Sequence, residues 1–99
     1  MPRESLPDPV GKLRVVAGRT AVCVVRIGER YFAVNDRCTH ADVSLTDGEV
    51  DAEECSIECW KHGSAFSLLD GEPQSLPATV PVAVYDVRVE GDDLIVVVP

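Results

Sequence analysis

Two short stretches of this 99-residue chain hold both of its histidines. Cys38-Thr39-His40 is a Cys-x-His pair, and Cys59-Trp60-Lys61-His62 is a Cys-x-x-His pair. Eighteen residues separate His40 from Cys59. Each pair offers one thiolate and one imidazole, donors that suit zinc, copper and iron–sulfur centres. Small or turn-forming residues follow both pairs: Ser44 and Gly48 after the first, Gly63 and Ser64 after the second. That pattern fits two hairpin tips, which can close on a metal centre from opposite sides.

Two chemistries use this donor set. A structural zinc ion takes two Cys and two His tetrahedrally. A two-iron, two-sulfide cluster can carry Cys on one iron and His on the other. Zinc fingers tend to pair like with like, so two mixed pairs favour the cluster. Charge then indicates what such a cluster does. With two thiolates the oxidised cluster is roughly neutral, whereas four thiolates leave about two negative charges on it. An electron enters the less negative cluster more easily. The potential rises from about −400 mV for all-Cys plant-type ferredoxins to about −150 to +300 mV.

Loops of this kind need a rigid support, and the rest of the chain is written for strands. Valine is the commonest residue, with 17 copies, and β-branched side chains favour strands over helices. Thr20–Ile27 alternates, with Ala21, Cys23, Val25 and Ile27 on one face. Ile27-Gly28-Glu29-Arg30 reads as a turn into Tyr31–Asn35. Ala83, Tyr85, Val87 and Val89 share a face, and Glu90-Gly91-Asp92-Asp93 turns the chain into Leu94–Val98. Leu13–Ala17 reads as an earlier strand. Between Cys38 and Pro81 the pattern changes to short strands such as Ser56–Glu58 among loops. Gly48, Gly63, Gly71, Pro73, Pro77 and Pro81 punctuate that stretch. The predicted architecture is one all-β domain over 1–99. Its antiparallel base comes from about 1–36 and 82–99, and a loop-rich, metal-binding insertion from about 37–81.

With these residues in view, the chain resembles the Rieske ferredoxins. The likeness runs from Cys38-Thr39-His40-Ala41-Asp42-Val43-Ser44-Leu45 through Glu58-Cys59-Trp60-Lys61-His62-Gly63-Ser64-Ala65-Phe66. It continues through Leu76-Pro77-Ala78 to the closing hairpin and covers most of the chain from about Leu13. The resemblance implies the Rieske iron–sulfur fold and one [2Fe-2S] cluster per chain. It implies that Cys38 and Cys59 hold an inner iron and that His40 and His62 hold an exposed outer iron. A proline loop near Pro77 would cover the cluster, and Ser64 would hydrogen-bond a bridging sulfide. Trp60 is either a docking contact beside the cluster or packing support for its loop.

Departures from the high-potential relatives are informative. Rieske subunits of respiratory complexes have an extra bridged Cys in each loop, where this chain has Val43 and Lys61. They also have a Tyr hydroxyl bonded to a cluster sulfur, where this chain has Phe66. A missing donor leaves more electron density on the cluster, so the potential is expected in the lower half of the Rieske window. Relatives usually have a strand before the stretch matching Ser5-Leu6-Pro7-Asp8. Only four residues precede Ser5 here, so the base lacks that strand or the true start lies upstream.

Composition limits the partners. The formal net charge of −8 and pI near 4.5 exclude a nucleic-acid binder with a basic face and disfavour an anionic membrane surface. Asp47–Glu58 carries six carboxylates and no base, which reads as a solvated face or as a patch for a basic partner. There is no signal peptide and no membrane span, so a cytoplasmic location is expected. Structural disulfides are rare there, so the four cysteines read as ligands or buried thiols. Cys23 belongs on an apolar strand face, and Cys55 reads as structural because four ligands are already named.

The expected function is a monomeric, soluble one-electron carrier with no catalytic site of its own. It would pass an electron from a reductase to an oxygenase or similar acceptor. A Rieske oxygenase needs a further iron held by two His and a carboxylate, and both His here belong to the cluster pairs. No Gly-x-Gly-x-x-Gly fingerprint marks a flavin or nicotinamide site. The alternatives are an accessory Rieske protein beside cluster-assembly proteins and a structural zinc module.

Overall fold

Antiparallel strands make up nearly all of the regular structure among the described residues. The computed structural model describes residues 1–39, 43–61, 63–74 and 79–98. Eight strands appear: β1 (Val10–Ala17), β2 (Thr20–Ile27), β3 (Arg30–Asn35), β4 (Glu49–Asp51), β5 (Ser56–Glu58), β6 (Ala65–Ser67), β7 (Val84–Glu90) and β8 (Asp93–Val97). Two single 3-10 turns, Arg3–Ser5 and Leu45–Asp47, complete the described elements. The strands form a five-stranded sheet in the order β1-β2-β3-β7-β8 and a three-stranded sheet in the order β4-β5-β6.

The large sheet follows the valine pattern. β1 and β2 pair along their whole length, from Val10 opposite Ile27 to Ala17 opposite Thr20. β1 therefore starts three residues before the predicted Leu13, because Gly11 and Lys12 pair with Arg26 and Val25. β2 departs from the one-faced strand predicted by its alternation: Val22, Cys23, Val24 and Val25 are all buried. Cys23 and Val25 enter one core, while Val22 and Val24 enter another. The first core lies between the two sheets and includes Val34, Leu45, Ile57, Phe66, Leu68 and Val82. The second fills the curl of the large sheet, around Leu6, Ala33 and Leu94. On β7, Tyr85 and Val87 pack against that second core, but Val89 is exposed. It sits opposite Leu94, next to the hairpin turn.

The N-terminal segment runs along the edge of β8. Pro2 bridges Asp93, the Leu94 N–H donates to the Met1 carbonyl, and the Met1 ammonium donates back to the Leu94 carbonyl. Leu6 then plugs the end of the curl, only 1% exposed.

The small sheet is inserted between β3 and β7, and its ladders are short. Three residue pairs join β4 to β5 and three join β5 to β6. Ties from outside hold it. Lys12 of β1 donates through Nζ to the Gly48 carbonyl, just before β4. Gly71 adopts φ +78° after β6, and its N–H donates to the Ser67 carbonyl. A Cβ at Gly71 would lie 2.0 Å from the Val82 carbonyl oxygen, so a side chain there would push away the returning strand. The sequence pattern shows Gly71 only as a turn; the close approach of Val82 is a second requirement, visible in the fold.

Candidate metal centre

The two candidate ligand loops leave strands of different sheets, and their cysteines end in one core. Cys38 follows β3. Its N–H donates to the Val43 carbonyl at 3.1 Å, and Arg37 forms a single bridge with Ser44, so the first loop is pinched at its base. Cys59 follows β5. Its N–H donates to the Ser64 carbonyl at 2.7 Å, and the Gly63 N–H returns to the Cys59 carbonyl at 3.0 Å. Gly63 sits at φ +72°, the left-handed conformation that makes this tight reversal cheap for glycine. The sequence-level reading of two short loops, each beginning at a cysteine, thus has a backbone basis.

Cys38 is 2% exposed and Cys59 is fully buried, and both belong to the core between the sheets with Leu45, Ile57, Phe66 and Val82. All four cysteines are free thiols. Two thiolates in an apolar core would be costly without a cation beside them. Paired with iron, they are the donors that an iron–sulfur cluster needs. The donor set that the structure places therefore fits the cluster. His40, His62 and Pro77 lie outside the described residues. Among the described residues no three His, Cys, Asp or Glu side chains form a group that could hold a metal ion, so of the four residues expected as ligands the structure describes the two cysteines.

Nearby residues divide clearly. Ser64 is fully buried at the end of the second loop. Phe66 is fully buried, and its ring carries no hydroxyl that could reach a sulfur. Val43 is half-buried and Lys61 exposed. Trp60 is 55% exposed beside Cys59. Thr39, between Cys38 and His40, donates its hydroxyl to the Val80 carbonyl at 2.6 Å and ties the first loop to the segment returning toward β7.

The other cysteines are structural. Cys23 is buried in β2, and burial pushes its thiol up to about 11, opposed by its hydrogen bond with Thr46. Cys55 turns the chain from β4 into β5 in a left-handed conformation, φ 53°, with its carbonyl accepting from the Leu68 N–H. Burial raises its thiol too, and the Arg30 charge opposes that. The carboxylates of Glu49, Asp51, Glu53, Glu54 and Glu58 line one shallow, solvent-facing groove on the small sheet.

One residue of this region is hidden in the sequence. Asp36, the residue after β3, is 3% exposed and accepts hydrogen bonds from Arg14, Ser44 and Thr46. The only sequence signal is its position two before Cys38; its partners come from other elements.

Comparison with known proteins is consistent with this geometry. Residues 2–86 match the family model described as the Rieske [2Fe-2S] domain. The chain belongs to the Rieske [2Fe-2S] domain family, and its cofactor is that cluster. Among curated relatives, the 3-phenylpropionate/cinnamic acid dioxygenase ferredoxin subunit of Escherichia coli (strain K12) is 32% identical over 91 residues. The match covers 92% of this chain and 85% of that one. Among solved structures, the ferredoxin of carbazole 1,9a-dioxygenase from Nocardioides aromaticivorans IC177 superposes with a TM-score of 0.92 at 33% identity. It covers 97% of this chain and 91% of that one. A complex of reduced oxygenase and oxidized ferredoxin in carbazole 1,9a-dioxygenase contains a chain 36% identical, with a TM-score of 0.88 and 98% of both chains covered. The fold and these relatives make this chain an electron-transfer protein of the ferredoxin kind and not a catalytic oxygenase. They do not favour the cluster-assembly alternative, and the family match sets aside the zinc module.

Proposed function

We propose that this chain carries single electrons from a reductase to the oxygenase of an aromatic-ring dioxygenase system, with Cys38, His40, Cys59 and His62 as the four cluster ligands. The observation that carries the reading is the pair of buried, unbridged thiols at the bases of two adjacent loops, each thiol the first residue of a Cys–His pair. The match to dioxygenase ferredoxin subunits over most of both chains supports the partner class. We place the domain over 1–99, with a base from about 1–36 and 82–99 carrying a cluster-binding part over about 37–81. Among the described residues no helix is long and apolar enough to cross a membrane. The free thiols agree with a reducing, cytoplasmic location. We take the working unit to be a monomer.

When bound, the cluster accepts and releases one electron. The chain supports this in three ways. Cys38 and Cys59 anchor the buried side, within a core that keeps water away. The loop hydrogen bonds from Cys38 and Cys59 N–H fix the backbone from which the ligands project. The buried Phe66 supplies packing without a hydroxyl donor, which favours a potential in the lower half of the window of about −150 to +300 mV.

Anaerobic reconstitution tests the reading. The oxidised protein should absorb visible light, and the reduced protein should give an electron-spin signal integrating to one spin per chain. Cys38→Ser and Cys59→Ser should each abolish both signals. A colourless, spin-silent protein, or a Cys38→Ser variant that keeps the native spectrum, overturns the ligand assignment. A midpoint above about +150 mV overturns the low-potential expectation. Electron delivery from an NADH-linked reductase to an aromatic-ring oxygenase, followed optically, tests the partner class. Failure of both transfers with a fully loaded protein removes that part.

A further inference from the structure

We propose that Asp36 is the positioning residue of the first ligand loop: its buried carboxylate joins the start of that loop to its far end through Ser44 and Thr46, and to β1 through Arg14. The proposal rests on the reading of Cys38 and His40 as ligands. It adds the group that decides where that loop stands.

Every hydrogen-bonding direction of Asp36 is used. Its N–H donates to the Ala21 carbonyl at 2.9 Å, and its carbonyl accepts from the Leu45 N–H at 2.6 Å. One carboxylate oxygen, Oδ1, accepts from the Thr46 N–H at 2.9 Å and from the Thr46 hydroxyl. The other, Oδ2, accepts from the Ser44 hydroxyl and from Arg14 Nε at 3.0 Å. These partners lie 8, 10 and 22 residues away in the chain. The loop from Cys38 to Val43 is therefore spanned at its base by one side chain, two residues before the first ligand. The Thr46 side chain also hydrogen-bonds the Cys23 thiol of β2, so the same clamp reaches a second strand of the large sheet.

Four donors converge on two oxygens, and two of those donors are N–H groups that cannot accept in return. An asparagine amide has one accepting oxygen. Whichever way it turned, its NH2 would face either the Thr46 N–H or Arg14 Nε–H. A buried donor left facing a donor costs more than a lost bond, and the loop end would shift to relieve it. The exposed side chain of Arg14 makes the least demanding of these contacts, since water can replace it. The positional information therefore resides in Ser44 and Thr46.

Two sets of variants separate positioning from simple stabilisation. The double variant Ser44→Ala/Thr46→Val removes both hydroxyl donors and leaves every charge in place. It should change the g-values and line shape of the reduced spin signal and the visible circular dichroism. It should also speed cluster loss to a chelator roughly 10-fold or more. Thr46→Ser keeps the donor and should keep the native spectrum. Asp36→Asn should show the same spectral change as the double variant, together with a higher midpoint potential because one negative charge is gone. Arg14→Met should leave the spectrum native. The proposal is overturned if the double variant folds, melts at a lower temperature, and yet keeps native g-values and a native rate of cluster loss. Cys38→Ser runs alongside: if it keeps the native signal, the ligand reading fails first. If it loses the signal while the double variant stays native, only the positioning role of Asp36 fails.

Discussion

The two sheets are stabilised in different ways. In the large sheet, β1 and β2 share eight residue pairs and β2 and β3 share six, so backbone ladders and a valine-rich core carry it. The small sheet has three pairs on each ladder. A three-stranded sheet this short cannot stand alone on its own hydrogen bonds. It is held by Phe66, Ile57 and Leu68 in the shared core, by Lys12 at Gly48, and by the close approach of Val82 to Gly71. Local pairing makes the support rigid. Long-range ties make the ligand-bearing part adjustable, because each tie can be changed without disturbing a ladder.

The largest expected effect comes from the shared core. Phe66→Ala should cost about 3–5 kcal/mol and release the cluster, because the ring is fully buried under both ligand loops. Leu94→Ala, in the core of the curled sheet, should cost about 2–5 kcal/mol. Its folded fraction should keep a native visible spectrum. Denaturant melts followed at the backbone and at the cluster absorption check both. If Leu94→Ala loses the cluster as readily at equal destabilisation, the two regions are not independent.

Cys23 links the regions from within β2, and its titration sharpens the contrast at alkaline pH. The thiol ordinarily titrates near 9 and is pushed up to about 11 by burial. Between those values the unfolded chain gives up the proton and the folded chain keeps it. The folded state then binds more protons, so stability falls as pH rises from about 9 to about 11, by about 3 kcal/mol. Below pH 9 the effect is absent. Thermal melts of the apo protein across this range should show the decline, and Cys23→Ala should remove it. A decline that persists in the variant assigns it to other groups.

Lys12→Met should cost about 1.5 kcal/mol, the worth of a hydrogen bond from a charged donor. Amide exchange should show the loss in β4 and β5 while β2 and β3 stay protected. Uniform acceleration across both sheets would mean that the tie serves the whole fold. The smallest effect is expected at Trp60. Its side chain is 55% exposed, so Trp60→Ala should shift stability by less than about 0.5 kcal/mol. A clearly larger loss in a melt would mean that the indole packs the second loop in place.

The parts legible beforehand were the local ones. The alternation in Thr20–Ile27, the turn at Gly28-Glu29 and the turn at Gly91-Asp92 all appear as strands and hairpins, because neighbours in sequence make those ladders. The start of each ligand loop was legible for the same reason: a cysteine, a short spacing and a glycine or serine define a tight reversal. The features with no local signal depend on residues far apart. β1 begins at Val10 because β2 is there to pair with it. β2 is buried on both faces because the small sheet covers Cys23 and Val25 while Leu6 and Leu94, from the two ends of the chain, cover Val22 and Val24.

Composition and spacing by themselves gave the candidate donor set, the all-β class and the acidic character that argues against nucleic acid. These are properties of residue types and of intervals shorter than a hairpin. Tertiary structure decided that all four thiols share one core, why Gly71 must lack a side chain, and that Asp36 is the residue on which the first loop is hung. Each of these requires a donor and an acceptor, or two backbones, brought together across distant parts of the chain, and no local pattern encodes that meeting.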